Sequence, residues 1–252
     1  ASRGLGDVYK RQMLGKAEAT DADVVIANMF YKDEEMKVAV AERLYTGADI
    51  KSVIINCMMG NYAEKKDALS YTATAKLFNK KLFAENNLKF PSERKLIWED
   101  LAFSVEAYPL CEKVYVLHKP VYYYCFNEGS LTHTYKPNKL ELVMELYHYM
   151  GVKIQELGLT KEAQYRLDTN FIGHIRTCIK LEVFYADKNG FRTASQNIRK
   201  LCSRTDVQTL IRSYPKNSFS KSQYVYNFAM ERRWIYAVYL LTWLQNKKKR
   251  IE

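Results

Sequence analysis

The sequence predicts an α/β domain followed by an all-helical extension, and three observations carry that reading. Residues 22–30 alternate and then run apolar, as a buried strand does, and short strand and helix patterns follow one another to about residue 135. After Lys136-Pro137-Asn138 the apolar period is helical almost without interruption. Charge divides at nearly the same place. Residues 131–252 hold 21 Lys and Arg against 10 Asp and Glu, whereas residues 1–130 hold 18 of each, so the net charge of +11 belongs to the second half.

Taken in order, the strand at 22–30 is followed across the acidic turn Lys32-Asp33-Glu34-Glu35 by a shorter strand at 36–41. Ile50, Val53, Ile54 and Cys57 recur at the helical period and predict a helix over 48–59. Residues 71–78 read as a strand passing into a short helix, 80–85, closed by Asn86-Asn87. An amphipathic helix is expected over 99–110, then two strands, 113–117 and 121–126, broken at Pro120 because proline cannot donate to a ladder. At least one of Tyr122, Tyr123 and Tyr124 should face the core, since neighbours on a strand alternate.

Beyond residue 138, Leu140, Val143, Met144, Tyr147 and Met150 form one apolar stripe; Leu167, Phe171, Ile175, Cys178 and Ile179 form another on a helix over 161–185. Asp187-Lys188-Asn189-Gly190 reads as a turn, a further helix runs over 193–202, and a last helical region covers 223–245 after a break at 214–218.

The chain has room for one large domain or two small ones, and 48% apolar with 27% charged residues is ordinary for a globular protein. No apolar run approaches the ~18 residues of a membrane span, and the N-terminus has no apolar signal core. Five widely spaced cysteines without a Cys-x-x-Cys fit buried, reduced thiols, and neither they nor the four scattered histidines show metal-ligand spacing.

One stretch is more specific than composition. Lys76-Leu77-Phe78-Asn79-Lys80-Lys81-Leu82-Phe83 is followed by Phe90-Pro91, then Trp98-Glu99-Asp100-Leu101-Ala102-Phe103, then Pro120-Val121-Tyr122-Tyr123-Tyr124 and Gly129-Ser130. Together these motifs resemble the acceptor half of a family 2 glycosyltransferase, over about residues 13–135. The resemblance implies a Rossmann-related mixed sheet of the GT-A type. It also implies transfer of a sugar, with inversion, from a nucleotide-sugar donor to a hydroxyl of a glycan or lipid-linked acceptor, in surface polysaccharide assembly on the cytoplasmic side.

By motif, Asp100 matches the general base that takes the acceptor proton, with Glu99 beside it, while Lys76, Trp98 and Ser130 fall on the acceptor side. Each has a plainer role open to it. Acidic residues in a first helical turn complement the dipole, a strand-end lysine is usually solvated, a tryptophan packs in a core, and a serine caps locally. Two departures stand out: Thr74 and Ala75 replace a tryptophan that family members carry before the lysine, and Cys125 replaces an arginine.

Family members also open with an Asp-Asp-Gly-Ser segment and later carry an Asp-x-Asp that holds a divalent metal, Mg or Mn, on the donor diphosphate. Neither lies upstream of residues 22–27. Asp21-Ala22-Asp23 spells the second motif but precedes a strand instead of following one, so no metal ligand is assigned and this chain is expected to bind no metal. Asp7-Val8-Tyr9-Lys10-Arg11-Gln12 looks like the translation of a transposon mosaic end used in sequencing libraries. Residues 1–12 therefore read as an assembly scar, with an ordinary polar N-terminal helix as the alternative. Residues 13–135 read as the acceptor half of the catalytic domain and 136–252 as the basic helical extension. A truncated, inactive enzyme with central strands missing and a sheet edge unpaired is the expectation.

Lys247-Lys248-Lys249-Arg250 follows Trp234, Tyr236, Tyr239, Leu240, Leu241, Trp243 and Leu244, a pattern suited to an anionic membrane surface over residues 231–252. A core-packed last helix with a solvated tail is the alternative, and a scaffold that docks polysaccharide enzymes at the membrane is compatible with either. A non-enzymatic basic helical module binding nucleic acid is the runner-up class, weakened by ten interleaved acids and the lack of a nucleic-acid motif.

Overall fold

The computed structural model describes residues 2–31, 34–62, 66–92, 96–125, 135–214 and 220–251 and, within those, side chains from 8 to 247. The chain divides into two compact units, Ala1–His133 with His148–Arg166, and Thr134–Tyr147 with Leu167–Glu252.

The first unit is built on a five-stranded mixed sheet. Its centre is the parallel pair β1 (Val24–Tyr31) and β5 (Lys113–Tyr124), with β3 (Leu44–Thr46) antiparallel on the outer edge of β5. Two three-residue strands share the other edge of β1: β4 (Lys76–Phe78) pairs with Val24–Ile26, and β2 (Glu34–Met36) pairs with Met29–Tyr31. Ala27 in the gap donates to Ala75 O at 2.9 Å. Both sides of β1 are thus paired, whereas on the outer edge of β5 the strand β3 pairs only with Lys113–Tyr115. Short outer strands blunt edge-to-edge association.

Val24 and Ile26 bury on one face of the sheet, and Val25 and Ala27 on the other with Leu117. Helix α1 (Ser2–Thr20) covers the second face through Met13 and Ala17. Residues 2–12 are continuous with that helix. On β5, Pro120 does not end the strand as expected. The register skips between Ala27↔Leu117 and Asn28↔Pro120 and again before Met29↔Tyr122, so its missing N–H falls in a bulge. Tyr122, Tyr123 and Tyr124 are all exposed, two of them resting on Phe30 and Tyr31, so none is core.

Shorter elements also differ from expectation. The strand at 36–41 is instead β2, ending at Met36, because buried Asn28 turns the chain: its Nδ2 donates to Glu35 at 2.7 Å and its Oδ1 accepts from Val38 N at 2.8 Å. The helix at 48–59 starts as a π-helical turn, Ile50–Ile55, before α2 (Asn56–Met58). Helix α3 (Lys80–Asn86) opens on an Asn79 cap and closes on Asn87 in the left-handed region, φ 49°. Helix α4 (Glu99–Ala107) passes into a 3₁₀ turn at Tyr108–Leu110. Phe103 on α4 stacks on Phe83 and Phe90 and meets Phe78 edge-on.

Both apolar stripes of the second half are realised, on α5 (Lys139–Glu156) and α6 (Lys161–Phe184). Asp187-Lys188-Asn189 is part of a one-turn helix, α7 (Ala186–Asn189), and α8 (Phe191–Ser203) follows. Helix α9 (Thr205–Ser213) was not expected. The last helical region is two helices, α10 (Lys221–Glu231) and α11 (Ile235–Ile251), separated at Arg233 with φ 56°. Gln208 joins three of these by donating to Cys202 O at 2.6 Å and Met230 O at 3.1 Å. Among the described residues no helix is long and apolar enough to cross a membrane. Cys57, Cys111, Cys178 and Cys202 are buried as expected, and burial pushes the last three up to about 12; Cys125 is exposed.

Arg166, only 4% exposed, donates within the first unit to Asp67 (2.9 and 3.0 Å), Glu162 (2.9 Å) and the Gly60 carbonyl (2.9 Å). Arg166→Met should cost about 3 kcal/mol, the lower range for breaking a buried charge network, read by urea denaturation. A cost within experimental error of zero would contradict this. In the second unit, burial and the Lys139 charge pull His174 down to about 4. The unfolded chain therefore binds more protons than the native one between about pH 6.5 and 4, and stability falls as pH drops through that window. His174→Gln should remove up to about 3 kcal/mol of this pH dependence, and an unchanged slope would refute it.

Candidate functional site

The sheet and α4 bring three groups of the first unit together. Asp100 lies in the first turn of α4, Lys76 opens β4, and Tyr71 stands on the segment before it. Ser104, one turn along α4, donates its hydroxyl to Tyr71 O at 3.0 Å and so ties the helix to that segment. Lys76 Nζ donates to Ser70 O at 2.7 Å and also to Thr72 O, fixing the same segment from the strand side.

Electrostatics link the three. Desolvation pulls the Lys76 ammonium down to about 7, against the Asp100 charge, which favours the protonated form. Burial and then the same carboxylate push the Tyr71 hydroxyl up to about 12. Asp100 makes no ion pair with Lys76 within 4.0 Å, so they act through space and not as a closed bridge. The half-buried Asp100 carboxylate thus lies within the electrostatic reach of a lysine whose charged form burial disfavours.

Backbone strain sits at both approaches. Ala75 (φ 56°) immediately precedes Lys76, and Trp98 (φ 54°) immediately precedes Glu99-Asp100. Non-glycine residues held in the left-handed region cost on the order of 1 kcal/mol each and persist where surrounding contacts demand them. Ala75 is held by its bond from Ala27, and Trp98 O accepts from Leu101 N at 2.9 Å to start α4.

Of the residues expected from sequence, Lys76 and Asp100 are therefore brought together, with Glu99 and Trp98 half-buried beside them. Ser130 lies outside the described residues. Tyr71 was not singled out as a site residue. Its only sequence signal is its position five residues before the motif lysine, which by itself does not distinguish it from the many other tyrosines.

Among the described residues no group of three or more His, Cys, Asp or Glu stands close enough to hold a metal ion. Asp23 spends its carboxylate on the backbone N–H groups of Glu112 (2.8 Å) and Lys113 (3.0 Å), and Asp21 pairs with Lys113 at 2.9 Å. Asp21-Ala22-Asp23 thus clamps two strands.

The mixed sheet and the helical C-terminal part match a glycosyltransferase-like fold. Among solved structures, the chain is similar to residues 1–349 of the S. aureus glycosyltransferase TarS in complex with UDP-GlcNAc, at 14% identity and a TM-score of 0.51. The TarS complex with UDP gives 15% identity and 0.50. Each match covers 94% of this chain, which spans 63% and 62% of those structures. No family model and no curated protein matches the sequence.

The Lys76 ammonium should titrate near pH 7 by ¹⁵N-detected NMR, and Asp100→Asn should lower that value further by removing the charge that favours protonation. A Lys76 value indifferent to Asp100→Asn would show that the two do not share a site.

Proposed function

We propose that the chain is the acceptor-side part of an inverting, family 2-type glycosyltransferase that moves a sugar from a nucleotide-sugar donor to a hydroxyl of a glycan or lipid-linked acceptor. The observation that carries the reading is Asp100 in the first turn of α4, tied through Ser104 and the 70–72 segment to Lys76, whose charge it favours. TarS complexes with UDP-GlcNAc and UDP support a nucleotide-sugar donor by likeness of fold. In this reading the Asp100 carboxylate takes the proton from the acceptor hydroxyl, whose oxygen bonds to the anomeric carbon as the nucleotide leaves from the opposite face. Lys76 holds the 70–72 segment against the site, Glu99 orients the acceptor, and Trp98 offers a face to a sugar ring. A divalent cation would neutralise the leaving diphosphate, held by a donor-binding portion that carries the family's Asp-Asp-Gly-Ser and metal-binding Asp-x-Asp segments.

In the enzyme that joins this chain to such a portion, Asp100→Asn should lower turnover about 10²–10⁴-fold, the range for losing a positioned base. Glu99→Gln should cost less. Turnover near wild type in Asp100→Asn would sink the assignment.

Helix α11 supports attachment to the inner face of an anionic membrane. Ile235, Val238 and Thr242 bury, while Tyr236 (66% exposed), Leu240 (54%) and Leu244 (51%) line its open side beside Trp243, over which Lys247 sits at 4.0 Å. Exposed aromatic and apolar side chains ending in a basic cluster suit the headgroup boundary, each basic residue adding about 1 kcal/mol near the surface. Replacing Tyr236, Leu240 and Leu244 by Ser should abolish co-sedimentation with phosphatidylglycerol vesicles and leave the fold intact. Undiminished pelleting would refute the docking face.

A further inference from the structure

In the helical unit a cavity of about 200 Å³ opens between α11 and the junction of α6 with α7. Its walls are aromatic: Tyr239 and Trp243, one turn apart on α11, and Phe184 at the end of α6. Its polar groups are Asp187 on α7 and Asn246 and Lys247 on α11. Tyr239, Trp243 and Lys247 recur every four residues, so they form one stripe of the helix, adjoining the side that carries Tyr236, Leu240 and Leu244.

The polar groups are not used up by the fold. The Asp187 carboxylate has no hydrogen-bond or ion-pair partner among the described residues. Its charge nevertheless reaches the cavity wall, since burial and then Asp187 hold the Tyr239 hydroxyl above its usual range. Asn246 donates its Nδ2 to Lys180 O at 3.3 Å and keeps Oδ1 as an acceptor. Lys247 makes no ion pair among the described residues, and its Nζ lies 4.0 Å from the Trp243 ring centroid. One carboxylate and one ammonium therefore line the opening. An anion would meet Asp187, and a cation would meet the Lys247 charge already over Trp243. A neutral molecule with an apolar face and a rim of hydroxyls meets neither penalty, and its hydroxyls can replace the water on all three polar groups.

We propose that this cavity binds one neutral pyranose ring, its C–H face against the aromatic walls and its hydroxyls on Asp187, Asn246 and Lys247. The volume is below the roughly 300–1,000 Å³ of pockets for drug-sized ligands, which limits the occupant to a single ring. A ring whose hydroxyls are all equatorial carries only C–H bonds on its two faces, so the gluco configuration suits flat aromatic walls best. The carboxylate can accept two neighbouring hydroxyls at once, as charge-assisted hydrogen bonds. The same ring is offered by a soluble glycan and by the headgroup of a neutral glycolipid. The site lies within the helical unit alone and does not rest on the transfer reading.

The chain has three tryptophans, so NMR of their indole N–H groups reads the site directly, and Trp234, 57% exposed and outside the cavity, is an internal control. Titrating the 252-residue chain with methyl β-D-glucopyranoside should shift the Trp243 signal saturably and leave that of Trp234 in place. So small a ligand should bind with a millimolar dissociation constant. Asp187→Ala should weaken binding about tenfold through loss of the charge-assisted contacts. Asp187 is exposed, and an unchanged melting temperature checks that the variant folds. Phosphatidylcholine vesicles with and without glucosyl diacylglycerol separate the sources. Pelleting with the glycolipid that the glucoside competes away assigns the ring to a headgroup, and glucoside binding without pelleting assigns it to a soluble glycan. No shift at Trp243, equal shifts at Trp234 and Trp243, or unchanged affinity in Asp187→Ala would overturn the proposal. Saturation by choline chloride without a response to the glucoside would overturn it too, by marking a cage for cations.

Discussion

The first unit depends on one carboxylate and the backbone around it. Asp23 stands between α1 and β1, where its side chain accepts the amides of Glu112 and Lys113 and its own N–H donates to Lys113 O at 2.9 Å. Its carbonyl takes the Asn79 amide at 2.7 Å. One residue thus aligns the starts of the two central parallel strands and anchors the end of β4, leaving no choice of register. A one-residue slip would turn Val24 and Ile26 to the opposite face and break both cores. Lys76 is placed three residues before that anchor. Through the 70–72 segment and Ser104 the same alignment reaches α4 and Asp100. The site is a consequence of how the sheet is pinned.

How much of this was legible in the sequence follows from which forces set each element. Strand β1 and helices α6 and α8 were read nearly to their ends, and α5 by its apolar stripe, because burial of their apolar positions dominates and its period is visible in one chain. The errors cluster where a single polar contact or a bulge outweighs the pattern. Asn28 ends β2 early, and the two register skips carry Pro120 through β5. Both are tertiary effects that a local window cannot contain. Tyr122, Tyr123 and Tyr124 alternate as a half-buried strand would, yet stay exposed because β3 accompanies only the first residues of β5.

The candidate site's residues could be named from the sequence, but not their geometry. Asp100 and Lys76 could be named from motif order, but their mutual field, the strained backbone at Ala75 and Trp98, and the part of Tyr71 arise only when β4 and α4 meet. The reverse holds for the basic half. Its excess charge is plain from counting, whereas the pairing of Arg204 with Asp206 and of Glu182 with Tyr135 and Asn197 appears only in the fold.

If the pinned sheet and the site are one structure, they should open together. Site-resolved amide hydrogen exchange measures this most directly, because each protected amide reports the free energy of the opening that exposes it. The amides of Ala27, Asn79, Leu101, Glu112 and Lys113, which bond respectively to Ala75, Asp23, Trp98 and the Asp23 carboxylate, should share a single opening free energy equal to that of the β1 core. Exchange of Leu101 and Ala27 by a separate opening of much lower free energy, with Glu112 and Lys113 still protected, would show that the site forms independently of the clamp.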